Sequence, residues 1–309
     1  MKRIYTFFLC IFCFNQLHAQ HISPQNLKEL LAREDSMKMH APVILVGTTG
    51  ADRLTADSVF TRQLVRALRV PYSFEYPFDS LFTISRMYAP DSSFRVFTWQ
   101  LEVNEDLVRQ HGAIQMRTTD GSLKLFPLID KSDEIPGLED SISNHQNWMG
   151  AVYYRILMNK VRGRKIYTLI GFDDNNSSSS KKIIEILEFV NKEPRFGARV
   201  FRYPNNELNA SNPARYVMEF KKDAGPRLNY DEEMNLIIIE HLVSQSGEPN
   251  KKSTLVGDGD YDGFKWANGK WVFVNKIFKD ITPEGKEPVP MPIRDAKGNI
   301  DDSKLKQEN

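Results

Sequence analysis

Three aspartates alternate with other residues at the start of the segment DGDYDGFKWANGKWVFV, residues 258–274. Asp258, Asp260 and Asp262 match the first oxygen-ligand positions of an oxygen-cage calcium loop, and a glycine follows, as that loop requires. The position of the closing bidentate glutamate is Gly269, which has no side chain. Calcium is the one cofactor that the sequence suggests, and a site at these aspartates needs a further ligand from another segment.

The same segment also has the sequence of a β-hairpin. The Asn-Gly dipeptide at residues 268–269 favours the positive φ angles of a two-residue hairpin turn. Phe264 and Trp266 would then face Phe273 and Trp271 on the other strand, and such cross-strand pairs contribute ~0.2–1 kcal/mol each. We predict the hairpin, and a weak calcium site on its approach would be compatible with it.

Acids and histidines that could serve as catalysts occur without a recognisable motif. The chain has no Gly-x-Ser-x-Gly elbow, no phosphate-binding loop and no zinc-protease motif. His145, in the sequence SNHQNW, is the histidine best suited to catalysis, and the acids between Asp130 and Glu134 are its candidate partners. Together they leave open a hydrolase that acts on a glycan or a peptide through a carboxylate pair. The polar run at residues 172–180 could offer oxygens to a cation but is more typical of an Asx turn.

Aromatic side chains offer a further kind of chemistry, the stacking of sugar rings. They could form a platform for a glycan, or they could fill a β-sheet core, which is the interpretation that we favour. The residues concerned are Trp148, Tyr153, Tyr154, Tyr167, Trp266 and Trp271.

Residues 1–19 have the organisation of a secretory signal peptide. Lys2 and Arg3 precede a short apolar run, and Ala19 supplies a small residue at the expected cleavage point. The run is too short to span a bilayer, which takes about 20 apolar residues, and no later apolar segment is long enough. We therefore expect a soluble protein without a membrane span, either periplasmic or secreted.

Cysteine usage and charge exclude several classes of function. Cys10 and Cys13 both lie in the signal peptide, so the mature chain is expected to have no disulfide, no thiol catalyst and no cysteine-ligated metal. Lys and Arg number 41 against 40 Asp and Glu, and removal of Lys2 and Arg3 leaves the mature chain nearly neutral. Evenly mixed charge of this kind does not favour nucleic acid as a partner.

The elements that would position these residues begin with helices in the amino-terminal portion, residues 20–90. The spacing of apolar residues predicts helices over residues 24–40 and 56–69. Asp57 or Ser58 could cap the second of them.

Short strands separated by turn residues fill residues 91–280. Hairpin turns are indicated at residues 120–121 and 162–163, where Asp-Gly and Arg-Gly suit a tight connection. The acidic loop at residues 131–147 could mark a boundary between two sheets, and residues 281–309 are expected to form a flexible tail. The predicted fold is mainly β (α+β overall), an antiparallel meander of short hairpins with a helical amino-terminal portion.

Three segments resemble a known group of proteins. SFRVFTWQLEV, GRKIYTLIGFDDNNSSSSKKIIEILEF and YDGFKWANGKWVFV are similar to segments of uncharacterised exported proteins of Bacteroidota-type bacteria. The resemblance extends over residues 80–278 and implies a β-rich protein of the envelope or periplasm. It carries no catalytic residue over to this chain.

The same resemblance gives significance to four Asp-Ser-apolar tripeptides. They match the acceptor pattern of O-glycosylation in those bacteria, although Asp-Ser is also common at helix caps and turns. The serines concerned are Ser36, Ser58, Ser80 and Ser141.

These observations favour an exported, non-catalytic binding protein whose partner is an envelope protein or a glycan. The alternatives are a hydrolase acting on a glycan or a peptide, and a calcium-stabilised binding module. Neither nucleic acid nor a membrane is expected as a partner.

Overall fold

The computed structural model describes residues 22–203 and 212–278. The predicted signal peptide, residues 1–19, and the predicted tail, residues 281–309, lie outside these residues. The described chain begins with two α-helices and continues through fifteen β-strands, so the predicted mainly β fold with helices near the amino terminus is confirmed. Neither of the two helices in this part of the chain is long and apolar enough to cross a membrane.

The helices are α1 (Pro24–Val46) and α2 (Gly50–Leu68). The strands, in chain order, are β1 (Ser85–Tyr88), β2 (Phe94–Asn104), β3 (Leu107–Met116), β4 (Lys124–Ile129), β5 (Ser143–Asn144), β6 (Val152–Val161), β7 (Arg164–Asp173), β8 (Ser179–Val190), β9 (Glu193–Phe196), β10 (Phe201–Arg202), β11 (Tyr216–Lys221), β12 (Leu228–Asp231), β13 (Leu236–Ser244), β14 (Leu255–Ala267) and β15 (Lys270–Val274).

α1 extends to Val46, past its predicted end at residue 40. Pro42 lies inside the helix, although proline lacks the N–H group that a helical hydrogen bond requires. Ala41 and Ile44 are buried against the core on either side of it. Their removal from water stabilises this last part of the helix and offsets the missing hydrogen bond.

α2 begins at a capping box and not at the predicted cap. The Thr49 hydroxyl accepts a hydrogen bond from the Asp52 N–H group at 3.1 Å, and the Asp52 carboxylate accepts one from Thr49 N–H at 3.2 Å. Asp57 and Ser58, predicted as caps, lie inside the helix. Glycine is a poor helix former, and two glycines near Thr49 interrupt the apolar run that precedes the predicted start of the helix at residue 56.

Three sheets follow the helices. The first has the order β1-β2-β3-β4. The second has the order β5-β9-β8-β7-β6, with β11 also paired to β8, and the third has the order β10-β15-β14-β13-β12. The paired strands are antiparallel, as predicted, apart from the short parallel pair of β10 with β15.

The helices and the three sheets stack as four layers. α1 and α2 cover one face of the first sheet, where Phe60 packs edge-on against Trp99. The opposite face of the first sheet packs on the second sheet around Phe94 and Trp148. The far face of the second sheet packs on the third around Trp271. The first and second sheets are therefore buried on both faces, and alternate residues of β2 enter two different cores.

Two of the predicted hairpin turns are confirmed. Arg162 and Gly163 connect β6 to β7 with φ angles of 49° and 81°. Asn268 and Gly269 connect β14 to β15 with φ angles of 51° and 76°, and Phe264 faces Phe273 across that hairpin. Both residues of each turn have the positive φ that a tight hairpin requires.

The two-residue turn predicted at residues 120–121 is wrong, because residues 117–123 form a longer loop between β3 and β4. Tyr72 accounts for the difference. Its N–H group donates to the Gly121 carbonyl at 3.0 Å, and its ring lies directly against Gly121. A Cβ on Gly121 would be 2.7 Å from that ring, so a larger residue would clash with Tyr72. Glycine also readily adopts the positive φ of 74° found at this position.

The predicted loop at residues 131–147 joins the first sheet to the second. It follows β4 and contains β5, which pairs with β9. The Arg215 guanidinium donates hydrogen bonds to the Leu138 carbonyl and, at 2.7 Å, to the Ser141 carbonyl. A fully buried side chain thus anchors a segment that has little regular structure of its own.

Candidate binding clefts

The three aspartates predicted to bind calcium lie along β14 and not in a loop. His241 Nδ1 is 2.7 Å from the Asp258 carboxylate. Lys276 Nζ is 3.5 Å from the Asp260 carboxylate, and the Lys276 N–H group donates to Asp262 at 2.9 Å. Among the residues that the structure describes, no group of three or more His, Cys, Asp or Glu side chains is placed to hold a metal ion. The three carboxylates do not converge, and calcium binding stays a prediction of the sequence.

Three histidines lie beside carboxylates. Besides the pair of His241 with Asp258, His111 Nδ1 is 2.9 Å from Asp57, and His145 Nε2 is 3.7 Å from Glu193. Within residues 22–203 and 212–278, no serine or threonine hydroxyl hydrogen-bonds to any of these imidazoles. The described chain therefore shows no serine or threonine nucleophile paired with a histidine base.

The predicted loop lines a cleft of about 600 Å³, which we call the loop cleft. Glu134 and Glu193 both line it. His145 lies next to Glu193, which is outside the predicted group of acids, and in the described residues it forms no pair with an acid between Asp130 and Glu134. Each glutamate side chain is 63% exposed, and Lys131 Nζ is 2.5 Å from Glu134. Both glutamate side chains are open to water, whereas the general acid of a hydrolase is typically held in a buried, apolar site.

The other acids proposed as catalysts hold the fold together. Asp130 accepts hydrogen bonds from the N–H groups of Gln110, at 2.8 Å, and Ser132, at 3.0 Å. Asp133 accepts two from the Arg109 guanidinium, at 2.9 and 2.7 Å. These bonds lower the pKa of Asp133 to about 2. Both side chains therefore form hydrogen bonds with residues of β3.

A buried carboxyl group that the sequence did not single out lies at the end of β7. Asp173 accepts hydrogen bonds from Gln110 Nε2, at 2.9 Å, and from the Asn175 N–H group, at 2.8 Å. The second bond is the Asx turn predicted for this polar run. Burial raises the pKa of Asp173 to about 6. Asp173 and Asp130 are linked through Gln110, and neither lines the loop cleft or the two clefts described below.

Most of the aromatic residues considered for sugar stacking fill the cores, as favoured. The buried ones are Trp148, Tyr153, Tyr167 and Trp271. Tyr154 is more exposed, but its hydroxyl donates to the Leu228 carbonyl at 2.6 Å. Trp266 is partly exposed and lines a cleft.

This cleft, which we call the tryptophan cleft, has a volume of about 330 Å³ and separates β6 from the third sheet. Arg155 Nη1 is 3.2 Å from the Glu232 carboxylate, and the Tyr230 hydroxyl is hydrogen-bonded to the Asn235 amide oxygen. The residues with polar or aromatic groups at the cleft include Arg155, Asn159, Tyr230, Glu232, Asn235 and Trp266. An aromatic wall beside planar amide and charged groups can bind a ligand that has both apolar and hydroxylated faces.

The four serines predicted as glycosylation acceptors differ in accessibility. Ser58 is exposed on α2, and Ser36 is partly exposed on α1. Ser80 is partly exposed, and its N–H group donates to Glu34 at 2.7 Å. The Ser141 hydroxyl donates to a backbone carbonyl at 2.5 Å. Ser58 is therefore the acceptor that a modifying enzyme could reach most easily.

The chain matches no protein-family model, and comparisons with curated proteins and with solved structures give no match. The geometry of the clefts is therefore the basis on which a function is proposed.

Proposed function

We propose that this chain is an exported, non-catalytic binding protein of the cell envelope, periplasmic or secreted, and that a glycan binds in the tryptophan cleft. One observation carries the proposal: Trp266 is partly exposed in a cleft whose polar walls are amides and an ion pair. Export is inferred from the signal-peptide pattern predicted at residues 1–19.

The chemistry of the cleft walls suits a saccharide. The C–H groups of a sugar ring pack on an aromatic face, here that of Trp266. Sugar hydroxyls both donate and accept, so they need partners of both kinds. Asn159 and Asn235 carry amide donors and acceptors, Arg155 carries donors and Glu232 carries acceptors. The volume of the cleft is at the lower end of the range for ligand pockets, ~300–1,000 Å³. A volume of this size suits a single sugar unit or the terminal sugar of an oligosaccharide.

The number of acids in the cleft supports binding over catalysis. Glycoside hydrolysis needs a pair of carboxyl groups on either side of the scissile bond. Glu232 is the one carboxylate among the residues that line the tryptophan cleft, and it is exposed and paired with Arg155. Such a cleft can hold a glycan without supplying both an acid and a base.

Replacing Trp266 with alanine is expected to weaken glycan binding by about tenfold, because an aromatic contact contributes ~0.5–1.5 kcal/mol beyond its buried area. The mature protein would be titrated calorimetrically with neutral, acidic and amino-sugar oligosaccharides. Phe82→Ala is the matched control, because the Phe82 side chain is 88% exposed and does not line the cleft. Absence of binding to every oligosaccharide, or equal affinity in Trp266→Ala and the native protein, would contradict the proposal.

The hydrolase alternative has one observation in its favour: Glu134 and Glu193 both line the loop cleft, and His145 Nε2 is 3.7 Å from Glu193. Mass spectrometry of the same oligosaccharides, and of peptides, after incubation with the protein tests it. Cleavage that is lost in Glu193→Gln would replace binding with hydrolysis as the function. Recovery of intact oligosaccharides and peptides supports the binding protein.

The calcium-stabilised module is tested by thermal unfolding with and without calcium. A higher melting temperature in calcium that is absent in Asp260→Asn would support this alternative. An unchanged melting temperature, with no heat on titration, would remove it.

O-glycosylation at Ser58 is a further part of the proposal, because this serine is exposed within an Asp-Ser-apolar tripeptide. The intact mass of the protein purified from its native host is expected to exceed that of the processed polypeptide. Ser58→Ala is expected to lower the excess mass by one glycan. A mass equal to that of the bare polypeptide would exclude the modification.

A further inference from the structure

A separate cleft of about 530 Å³ opens between the first and second sheets, where β3 ends and β7 begins. Its floor is apolar and includes Met116, Tyr167, Phe189 and Val190. The floor continues into the core between the sheets, because the Phe94 ring lies 4.7 Å from the ring of Tyr167 and 5.2 Å from that of Phe189, measured between centroids. An apolar group in this cleft would therefore extend an existing hydrophobic core.

Cationic side chains surround the mouth of this cleft, which we call the cationic cleft. Lys124 comes from the start of β4, Arg164 and Lys165 come from the start of β7, and Lys192 comes from the turn between β8 and β9. Three separate connections thus bring positive charge to one place. In the described part of the chain, Lys124, Arg164 and Lys192 form no ion pair with a carboxylate, whereas Lys165 does.

The carboxylates nearest to the cleft already have partners. Asp91 accepts hydrogen bonds from Lys165 Nζ at 2.6 Å and from the Tyr167 hydroxyl at 3.0 Å. Burial raises the pKa of Asp91, but its hydrogen bonds, led by the one from Lys165, outweigh burial and hold the pKa at about 2. Glu188, the one acid among the residues that line the cleft, lies 2.5 Å from Arg195. Three cations therefore remain without a carboxylate partner in the described residues, and one of them, Lys124, has its Nζ 5.5 Å from the centre of the Phe126 ring.

Uncompensated like charges repel one another and create a local positive potential. An exposed apolar floor is also unfavourable in water. A ligand that carries a negative charge at one end and a hydrocarbon group at the other would relieve both costs at once. Neither a simple anion nor an uncharged hydrocarbon would do so.

We propose that the cationic cleft binds a single-chain amphiphile with an anionic head group, a carboxylate or a phosphate joined to a hydrocarbon chain. The head group lies among Lys124, Arg164 and Lys192, and the chain packs on Met116 and Phe189. The cleft volume is within the ~300–1,000 Å³ typical of small-molecule sites. This inference does not depend on glycan binding, because the two clefts share no residue.

Dodecanoate and dodecyl phosphate, below their micellar concentrations, are the probes for calorimetric titration of the mature protein. Both are expected to bind with one site per chain. Arg164→Gln combined with Lys192→Gln is expected to weaken binding by about tenfold, since two exposed ion pairs are lost. Both residues are exposed, so the double variant is expected to fold normally. The matched control is Lys28→Gln combined with Lys265→Gln, which removes two exposed cations away from the cleft and is expected to bind normally.

The apolar part of the site has its own test. Val190→Phe adds a ring to the floor and is expected to weaken dodecanoate binding while the melting temperature shows that the fold is kept. Dodecanol has the same hydrocarbon chain but no charge. It is expected to bind at least about tenfold more weakly than dodecanoate, because it cannot form the exposed ion pairs of the head group.

Several results would overturn the proposal. One is equal affinity of the double variant and the native protein for dodecanoate. Another is binding of inorganic phosphate as tight as that of dodecyl phosphate, which would show that the apolar floor contributes nothing. Cosedimentation with phosphatidylglycerol vesicles, without binding of monomeric dodecanoate, would assign the cations to a membrane surface instead.

Discussion

Replacing Arg215 with methionine is expected to lower the free energy of unfolding by about 3–5 kcal/mol, because it leaves a buried charge without its partner. Arg215 Nε lies 2.8 Å from the Glu185 carboxylate, and neither side chain has any exposed surface. After the substitution, the Tyr153 hydroxyl, which donates to Glu185 at 2.7 Å, is the one hydrogen-bond donor left to that carboxylate among the described residues. Urea unfolding at neutral pH measures the loss.

The same substitution is expected to loosen the loop at residues 131–147. The Arg215 guanidinium donates to the carbonyls of Leu138 and Ser141, which methionine cannot do. Limited proteolysis is therefore expected to cut this loop faster in the variant than in the native protein. Any ligand of the loop cleft would bind more weakly for the same reason, because the loop forms its wall.

Two control variants separate the buried charge from other effects. Glu185→Gln combined with Arg215→Met removes both charges and keeps an acceptor for Tyr153, so about 2 kcal/mol of the loss is expected to be recovered. Arg33→Met removes an exposed pair with Glu29 and is expected to cost at most about 0.5 kcal/mol. A cost below about 1 kcal/mol for Arg215→Met would contradict the buried ion pair, since surface pairs contribute that little.

Replacing Asp173 with asparagine is expected to stabilise the protein by about 3 kcal/mol at pH 7.5, because burial raises the pKa of Asp173 from 3.8 to about 6. Charging a carboxyl group that favours its neutral form costs free energy in the folded state. Asparagine has no charge, and its amide oxygen can still accept the hydrogen bonds from Gln110 and Asn175.

The effect of Asp173 depends on pH in a defined direction. Its folded-state pKa is above the unfolded value, so the stability that it contributes is present below pH 4 and is lost as pH rises through about 6. The difference between the asparagine variant and the native protein should therefore be small at pH 4, vanish below about pH 3 and reach its full size above pH 7. Urea unfolding at several pH values measures it.

Asp91→Asn is a control that is expected to change the free energy of unfolding in the opposite direction. Hydrogen bonds led by that from Lys165 outweigh burial and lower the pKa of Asp91 to about 2, so its carboxylate favours the charged form. Its replacement is expected to destabilise the protein at pH 7.5, where Asp173→Asn stabilises it. A difference between Asp173→Asn and the native protein that stayed constant with pH would contradict the titration assigned to Asp173.

Local conformation was the part of the fold that could be predicted from sequence. The turns at residues 162–163 and 268–269 were found because positive φ angles are a property of the dipeptide itself. The loop at residues 117–123 was not predicted, because its path depends on a contact with Tyr72, which is distant in sequence. The capping box of Thr49 and Asp52 was present in the sequence and was missed, since the nearby glycines masked it.

The candidate sites could be predicted only in part. Trp266 was one of six aromatic residues considered for sugar binding, and nothing local distinguished it from the four that are buried. The acids near Asp130 were singled out, but the carboxyl group whose pKa is raised to about 6 is Asp173, and that shift depends on burial between two sheets. The cations of the cationic cleft come from three connections, and no sequence spacing links them.

The sequence by itself determined the secondary structure of most of this protein, its antiparallel β character and its lack of an obvious catalytic motif. These properties follow from dipeptide geometry, from the alternation of apolar residues and from the types of side chain present. All three are local properties of the sequence. Only the tertiary structure decided which aromatic rings face a cleft, which carboxyl groups are buried and which cations lack a carboxylate partner. Burial and charge compensation depend on contacts between side chains of different layers. These side chains are distant in sequence, so the sequence does not show which of them are in contact.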